Sequence, residues 1–185
     1  MAETRLTVLK IGGAVCRDAA TRRDALSAVR RLARERRVLV VPGGGVFADE
    51  VRSSQGAQGF SDDVAHWMAI LAMDQMARVI AGELDGAQLI HLRSEVGAVH
   101  EAGRIPVLAP HTWIRAEDPL PHSWDITSDS IAAFIAGSLG ARELVLLKPV
   151  DGSVTAMTDR GFAKSCPPGL SVRIATPATL AAASE

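Results

Sequence analysis

The sequence is punctuated by short apolar runs, and the first two stop at glycine. Leu6-Thr7-Val8-Leu9-Lys10-Ile11 leads into Gly12-Gly13, and Val38-Leu39-Val40-Val41 passes Pro42 into Gly43-Gly44-Gly45. Further runs lie at residues 89–92, 105–108 and 144–147, with a weaker sixth at 172–174. These runs are continuous rather than alternating, as expected of strands covered on both faces in a parallel sheet. Helical patterns separate them. Residues 24–36 place Leu26, Val29 and Ala33 on one stripe. Residues 62–81 place Val64, Trp67, Met68, Leu71, Met76, Val79 and Ile80 at helical spacing, with Ser61 as N-cap and two carboxylates in the first turn. Residues 128–139 carry Ile131, Phe134, Ile135 and Leu139 on a stripe that Gly140 stops. This alternation predicts an α/β sandwich with a mostly parallel sheet. Residues 109–125 read as one long irregular segment holding Pro110, Trp113, Pro119, Pro121 and Trp124, and loops of that length in a compact domain usually serve function.

Composition narrows the function classes. A chain of 185 residues suits a single domain, and 48% hydrophobic with 22% charged residues is a globular balance. Twenty basic side chains against 21 acidic ones leave a net charge of -1, without the basic footprint of a nucleic-acid binder. Arg30, Arg31, Arg34, Arg36 and Arg37 alternate with apolar positions and read as the solvated face of a helix. Cys16 and Cys166 are far apart and form no CxxC, so a reduced, cytoplasmic protein is expected. The opening residues, Met1 to Arg5, lead into an apolar run too short for a secretory signal, and no run approaches the roughly 20 apolar residues of a membrane span. The five histidines show no metal-ligand spacing, so no metal site is expected.

Ligands of a parallel sheet bind beyond the carboxyl ends of its strands. The first two strands both end there in glycines, which let backbone N–H groups approach phosphate oxygens. Lys10, in the last turn of the first strand, adds a compact cation able to follow a transferring phosphoryl group. Either glycine pair alone reads as a tight turn; the two together with Lys10 point to an anion site. Thr127-Ser128-Asp129-Ser130 opens a helix and reads either as a plain N-cap or as an anion-holding terminus, with Lys10 the natural partner of Asp129. Lys148-Pro149-Val150-Asp151-Gly152 follows the fifth strand as a turn from which Lys148 can reach phosphate. Gly43-x-Gly45-x-x-Ala48 also matches a dinucleotide fingerprint, but Asp62 and Asp63 open a helix where that motif wants an acid closing a strand. Trp67 reads as core or as an aromatic wall, and Trp113 and Trp124 equally as pocket or packing. Asp125, Glu117 or Asp118 are candidates to pair with a substrate ammonium, and His66 lies near the start of its helix, where it caps, packs or lines the acceptor site.

In order, Lys10-x-Gly12-Gly13, Val40-Val41-Pro42-Gly43-Gly44-Gly45, Thr127-Ser128-Asp129-Ser130-Ile131-Ala132-Ala133 and Leu146-Leu147-Lys148-Pro149-Val150-Asp151-Gly152 resemble the amino acid kinase superfamily. That group includes acetylglutamate, aspartate, carbamate, uridylate and isopentenyl phosphate kinases, and the resemblance spans residues 5 to about 155. Residues 63–74 and 123–129 look most like the small archaeal and methylotroph kinases of methanofuran biosynthesis, which convert an aminomethylfuran-methyl phosphate to its diphosphate. The resemblance implies a three-layer αβα sandwich in one domain spanning residues 1–185. Residues 5–140 would form the acceptor and phosphate half, and residues 141–185 a shortened nucleotide half. It implies ATP and Mg²⁺ as cofactors, a small phosphorylated acceptor, no membrane or nucleic-acid partner, and a homo-oligomer. Lys10 and Asp129 would be catalytic. Gly12, Gly13, Gly43, Gly44, Gly45, Thr127 and Ser128 would bind phosphate, Lys148, Asp151 and Gly152 the nucleotide, and His66, Trp124 and Asp125 the acceptor.

Two departures temper that expectation. Ala14 stands where the family commonly has serine, and the segment from Ser153 to Glu185 is short, with Lys164 its one candidate for a second phosphate-contacting lysine. Two alternatives follow: a non-catalytic ligand-binding or oligomer-forming member of the same fold, and an NAD(P)-dependent oxidoreductase resting on the Gly43 fingerprint.

Overall fold

The computed structural model describes residues 6–118 and 120–182. Residues 1–5, where the family resemblance begins, Pro119 of the long loop and residues 183–185 of the expected nucleotide half lie outside the described residues. Six strands form one sheet: β1 (Leu6–Ile11), β2 (Arg37–Pro42), β3 (Ala87–Ile90), β4 (Ile105–Leu108), β5 (Glu143–Leu147) and β6 (Ser171–Ala175). Every pairing is parallel and the order is β3-β4-β2-β1-β5-β6. The chain builds outward from β1 on one side through β2, β4 and β3, then returns to its other side with β5. The carboxyl end of β1 is therefore the switch point, where such sheets bind ligands.

Alternation along the strands feeds two cores, one per face. Leu9, Ile11, Val38, Val40, Val145 and Leu147 pack on one side with α2 (Ala19–Leu32) and α10 (Pro177–Ala182). Val8, Leu39, Val41, Leu144 and Leu146 pack on the other with α5 (Glu95–Glu101), α6 (His111–Glu117) and α7 (Ser128–Ser138). The long α4 (Asp62–Glu83) gives Ile70 and Met73 to the second core and Met76, Ala77 and Ile80 to the first. Helices on both faces make the αβα arrangement. Lys10 falls in register with Val8, on the face that α7 covers, one residue from the end of β1.

Three local expectations need correction. The helix read at residues 24–36 runs Ala19–Leu32, because Asp18 caps it by accepting from the Thr21 N–H at 2.7 Å; Arg34 and Arg36 fall in the turn beyond it and Arg37 opens β2. Residues 109–125 are not irregular throughout. They contain α6, whose first N–H, that of His111, donates to Asp74 at 2.9 Å. On α4 the buried face is Ala65, His66, Ile70, Met73, Met76, Ala77 and Ile80, whereas Val64, Met68 and Leu71 are exposed. The apolar stripe read from the sequence is rotated from the face that the sheet and α3 (Gly45–Gln58) select.

Candidate active site

Lys10 projects from β1 into the second core and is only 3% exposed. Burying an ammonium is costly unless it is paired, and the partner is Asp129 in the first turn of α7. The Lys10 Nζ lies 2.7 Å from Asp129 Oδ1, an ionic contact rather than a well-directed hydrogen bond. Lys148, just past β5, donates to the other carboxylate oxygen, Oδ2, also at 2.7 Å. Burial pushes the Asp129 carboxyl up, but the two ammonium groups outweigh it and hold the group below the usual carboxylate range. Burial, with the Lys10 charge, lowers Lys148 against the pull of Asp129. A buried and a partly buried cation share one carboxylate, so these three side chains carry an excess positive charge.

The glycine bends meet beside this cluster. A Cβ on Gly12 would lie 2.8 Å from the Leu147 carbonyl and 3.8 Å from the Lys10 Nζ. One on Gly13 would lie 3.0 Å from the Gly45 nitrogen, and one on Gly43 would lie 2.9 Å from the Gly13 nitrogen and 3.0 Å from the Ser128 Oγ. Side chains there would separate the two bends. Not all five glycines are equivalent, however. The Gly12 N–H donates to the Leu147 carbonyl at 2.9 Å and that of Gly43 to the Ile11 carbonyl at 2.8 Å, so neither is open to phosphate as expected. Gly13 starts α1 (Gly13–Arg17), Gly44 caps α3 and Gly45 begins it, positions whose N–H groups lack intrahelical partners. The left-handed backbone of Gly45 (φ +56°) favours glycine.

The start of α7 holds a group that motif reading missed. Asp159 accepts from the Thr127 N–H at 3.0 Å and its hydroxyl at 2.7 Å, and from the Ser130 N–H at 3.2 Å and its hydroxyl at 2.5 Å. Thr127 is thus engaged by a carboxylate rather than open to phosphate, while Ser128 faces Gly43. No local motif announces Asp159, which lies some thirty residues from its partners in a turn.

A cavity of about 160 Å³ opens from Gly13, Gly44 and Gly45 between α3, α4 and the loop before α7. His66, Trp124 and Ser128 line it together with Arg17, Arg52 and Asp62. The Arg52 guanidinium lies over the Trp124 ring, 4.3 Å from its centroid, and the indole N–H donates to Gln55 Oε1 at 2.6 Å. Asp125, expected at the acceptor, instead has a side chain 61% exposed that faces Arg160 at 3.6 Å. Glu117 accepts from the Trp113 indole at 2.6 Å and Asp118 contacts His122, so both carboxylates expected near an ammonium are engaged elsewhere. Trp113 itself is core, and Trp67 packs against that core under the Arg115 guanidinium. His66, 8% exposed, stacks on His122 at 4.1 Å. Burial, with the neighbouring His122 charge, pulls the His66 imidazole down to about 4, so it is neutral near pH 7. Burial disfavours the His122 cation, but contacts to Asp118 at 2.8 Å and Asp63 at 2.6 Å raise it, clamping the loop to α4.

Of the residues expected to bind nucleotide, Lys148 reaches the cluster while Asp151 and Gly152 are exposed in the irregular segment before the single-turn α8 (Val154–Met157). The dinucleotide fingerprint lacks its acid: Asp62 and Asp63 begin α4, and His91 follows β3. Among the described residues no group of three His, Cys, Asp or Glu side chains is placed to hold a metal, and no helix is long and apolar enough to cross a membrane.

Residues 5–160 match the family described as the amino acid kinase family. The chain is 34% identical over 150 residues to a [5-(aminomethyl)furan-3-yl]methyl phosphate kinase of Methanocaldococcus jannaschii, covering 78% of this chain and 66% of that one. It is 27% identical over 153 residues to a uridylate kinase of Methanothrix thermoacetophila, covering 82% and 65%. It therefore spans just under two thirds of the length of these curated relatives. Among solved structures, a uridylate kinase from Archaeoglobus fulgidus superposes with a TM-score of 0.72 at 17% identity, over 97% of this chain and 95% of that one. An aspartate kinase from Synechocystis superposes with a TM-score of 0.74 at 13% identity, over 93% and 38%. These two likenesses concern the fold.

Proposed function

The chain belongs to the amino acid kinase family, and we propose that it is an ATP-dependent phosphotransferase forming a phosphoanhydride on a small phosphorylated acceptor. The acceptor we favour is [5-(aminomethyl)furan-3-yl]methyl phosphate, because the relative that acts on it is 34% identical to this chain. That assignment puts the protein in the synthesis of a furan-based one-carbon cofactor.

The observation that carries the reading is the pair of ammonium groups, Lys10 buried and Lys148 partly buried, sharing Asp129 beside the two glycine bends. A transferring phosphoryl group would bring the negative charge this cluster lacks. In such transfer a phosphate oxygen of the acceptor attacks the γ-phosphorus in line, the bond to the β,γ-bridging oxygen breaks, and ADP leaves. The acceptor oxygen is already ionised, so no general base is needed. Lys10 would neutralise charge on the moving group and Lys148 the charge on the leaving nucleotide, with Asp129 holding both cations in place. The N–H groups of Gly13, Gly44 and Gly45 would orient phosphate oxygens at the mouth of the cavity. Trp124, His66 and Arg52 would wall the acceptor. Mg²⁺, when bound with ATP, would supply neutralisation of the charge that develops during transfer. The described residues fit a metal carried by ATP and water, since the carboxylate of the cluster, Asp129, is taken by two lysines. Self-association is part of this proposal, supported by the exposed Val64, Met68 and Leu71 on one side of α4.

The test is an acceptor panel with ATP·Mg²⁺, comparing [5-(aminomethyl)furan-3-yl]methyl phosphate with UMP and measuring ADP release and the diphosphate product. Faster turnover of the furan phosphate supports the assignment. Preference for UMP would move the acceptor, and no transfer to either would remove the phosphotransferase reading.

A further inference from the structure

Asp159 does more than fill the start of a helix. An α-helix leaves its first N–H groups unpaired, and a serine or threonine at the N-cap usually satisfies one of them locally. Thr127 occupies that position in α7 without capping it; its hydroxyl donates outward to Asp159 instead. All four donors to Asp159 belong to Thr127 and Ser130, on either side of Asp129. The contact continues along the chain. The Gly161 N–H donates to the Asp125 carbonyl at 2.8 Å, and a Cβ on Gly161 would lie 2.2 Å from Ile126 Cδ1 and 2.9 Å from that carbonyl. Residues 159–161, which follow β5 and α8, are therefore seated directly on residues 125–130, several of which line the acceptor cavity.

We propose that Asp159 is a positioning residue for phosphoryl transfer: it fixes the first turn of α7 so that Asp129 faces both lysines, and it ties the segment after β5 to the acceptor loop. The inference rests on the phosphotransferase reading. A local cap would have satisfied the same N–H groups without joining the two halves of the site. A carboxylate also adds negative charge where the helix dipole favours it. Its charge acts on Lys148 as well, among the influences that favour the ammonium form against burial and the Lys10 charge.

Asp159→Asn retains the side-chain shape and one acceptor oxygen but removes the charge. Steady-state kinetics with ATP·Mg²⁺ and [5-(aminomethyl)furan-3-yl]methyl phosphate should show kcat lowered roughly 10- to 100-fold, the scale of a small misplacement of reacting groups, with both KM values changed much less. The chain has only three lysines, Lys10, Lys148 and Lys164, so lysine-selective NMR can follow each one. Asp159→Asn should lower the titration of Lys148, reporting the loss of a nearby charge, while the split between kcat and KM separates positioning from a purely structural cap. If that variant fails to fold, Thr127→Val removes one hydroxyl donor while keeping the Asp159 charge, and should lower kcat without moving Lys148. Unchanged kcat in a folded Asp159→Asn protein, or an unmoved Lys148, overturns the proposal. Absence of transfer by the wild-type chain would instead fall on the phosphotransferase reading, and the NMR titration still judges the Asp159 contact without turnover.

Discussion

Lys10 and Lys148 depend on the same carboxylate, so Asp129 is the residue whose loss the site tolerates least. Asp129→Asn leaves the buried Lys10 and the partly buried Lys148 ammonium groups facing a neutral amide, and removing one partner of a buried pair typically costs about 3–5 kcal/mol. The pH dependence should follow. The Asp129 carboxyl is held below its ordinary value, so its contribution is complete above the unfolded carboxylate range and is lost as pH falls through the folded value. The stability gap between wild type and Asp129→Asn, from urea melts at several pH values, should narrow on acidification. His66 has the opposite chemistry. It is buried neutral, with its titration pulled from 6.5 to about 4, so the unfolded chain binds its proton first. Stability should therefore fall as pH drops from about 6.5 to about 4, and His66→Leu should flatten that slope relative to wild type. Lys10 and Asp129 were legible in the sequence because a lysine before Gly-Gly and an acid in a helix's first turn are local patterns. Asp159 was not, because only tertiary structure brings it to Thr127 and Ser130. The commitment of the Gly12 and Gly43 N–H groups to strand carbonyls was equally invisible, since a glycine looks the same whether its value lies in its N–H or in its missing side chain.

At the scale of elements, the two bends work as one object. A methyl group at Gly43 would meet the Gly13 nitrogen, which cannot move without shifting α1, and the Ser128 hydroxyl, which would have to rotate away. Gly43→Ala should cost about 1–3 kcal/mol in denaturant melts, as overpacking does, and should reduce transfer by more than that stability loss implies. An alanine variant with native stability and full turnover would show that the bends need not touch. The loop before α7 is held at two points, by His122 between Asp63 and Asp118 and by Trp124 against Arg52 and Gln55. His122→Gln should speed amide hydrogen exchange in residues 120–127 while leaving the strands unchanged. Sequence patterns failed at this scale where tertiary contacts chose the face. The rotated stripe of α4 follows from what it packs against, and α6 was hidden by its short length and by the prolines around it. Trp113, which stood equally as pocket or packing, became core once α6 formed.

For the whole molecule, continuous apolar runs were enough to indicate a parallel sheet with both faces covered, because the pattern reflects burial and burial is what the fold imposes. Strand order was not legible. Nothing local says that β5 returns to the free side of β1, yet that return brings Lys148 to the carboxylate that Lys10 contacts and makes the end of β1 a switch point. The most direct test is therefore turnover of Lys10→Met with ATP·Mg²⁺ and [5-(aminomethyl)furan-3-yl]methyl phosphate, since methionine keeps much of the buried stem and removes only the charge. The site described above predicts a folded protein whose kcat is lower by at least about 10²-fold, the scale for losing one stabilising group at a developing charge. Wild-type turnover in that variant would contradict it.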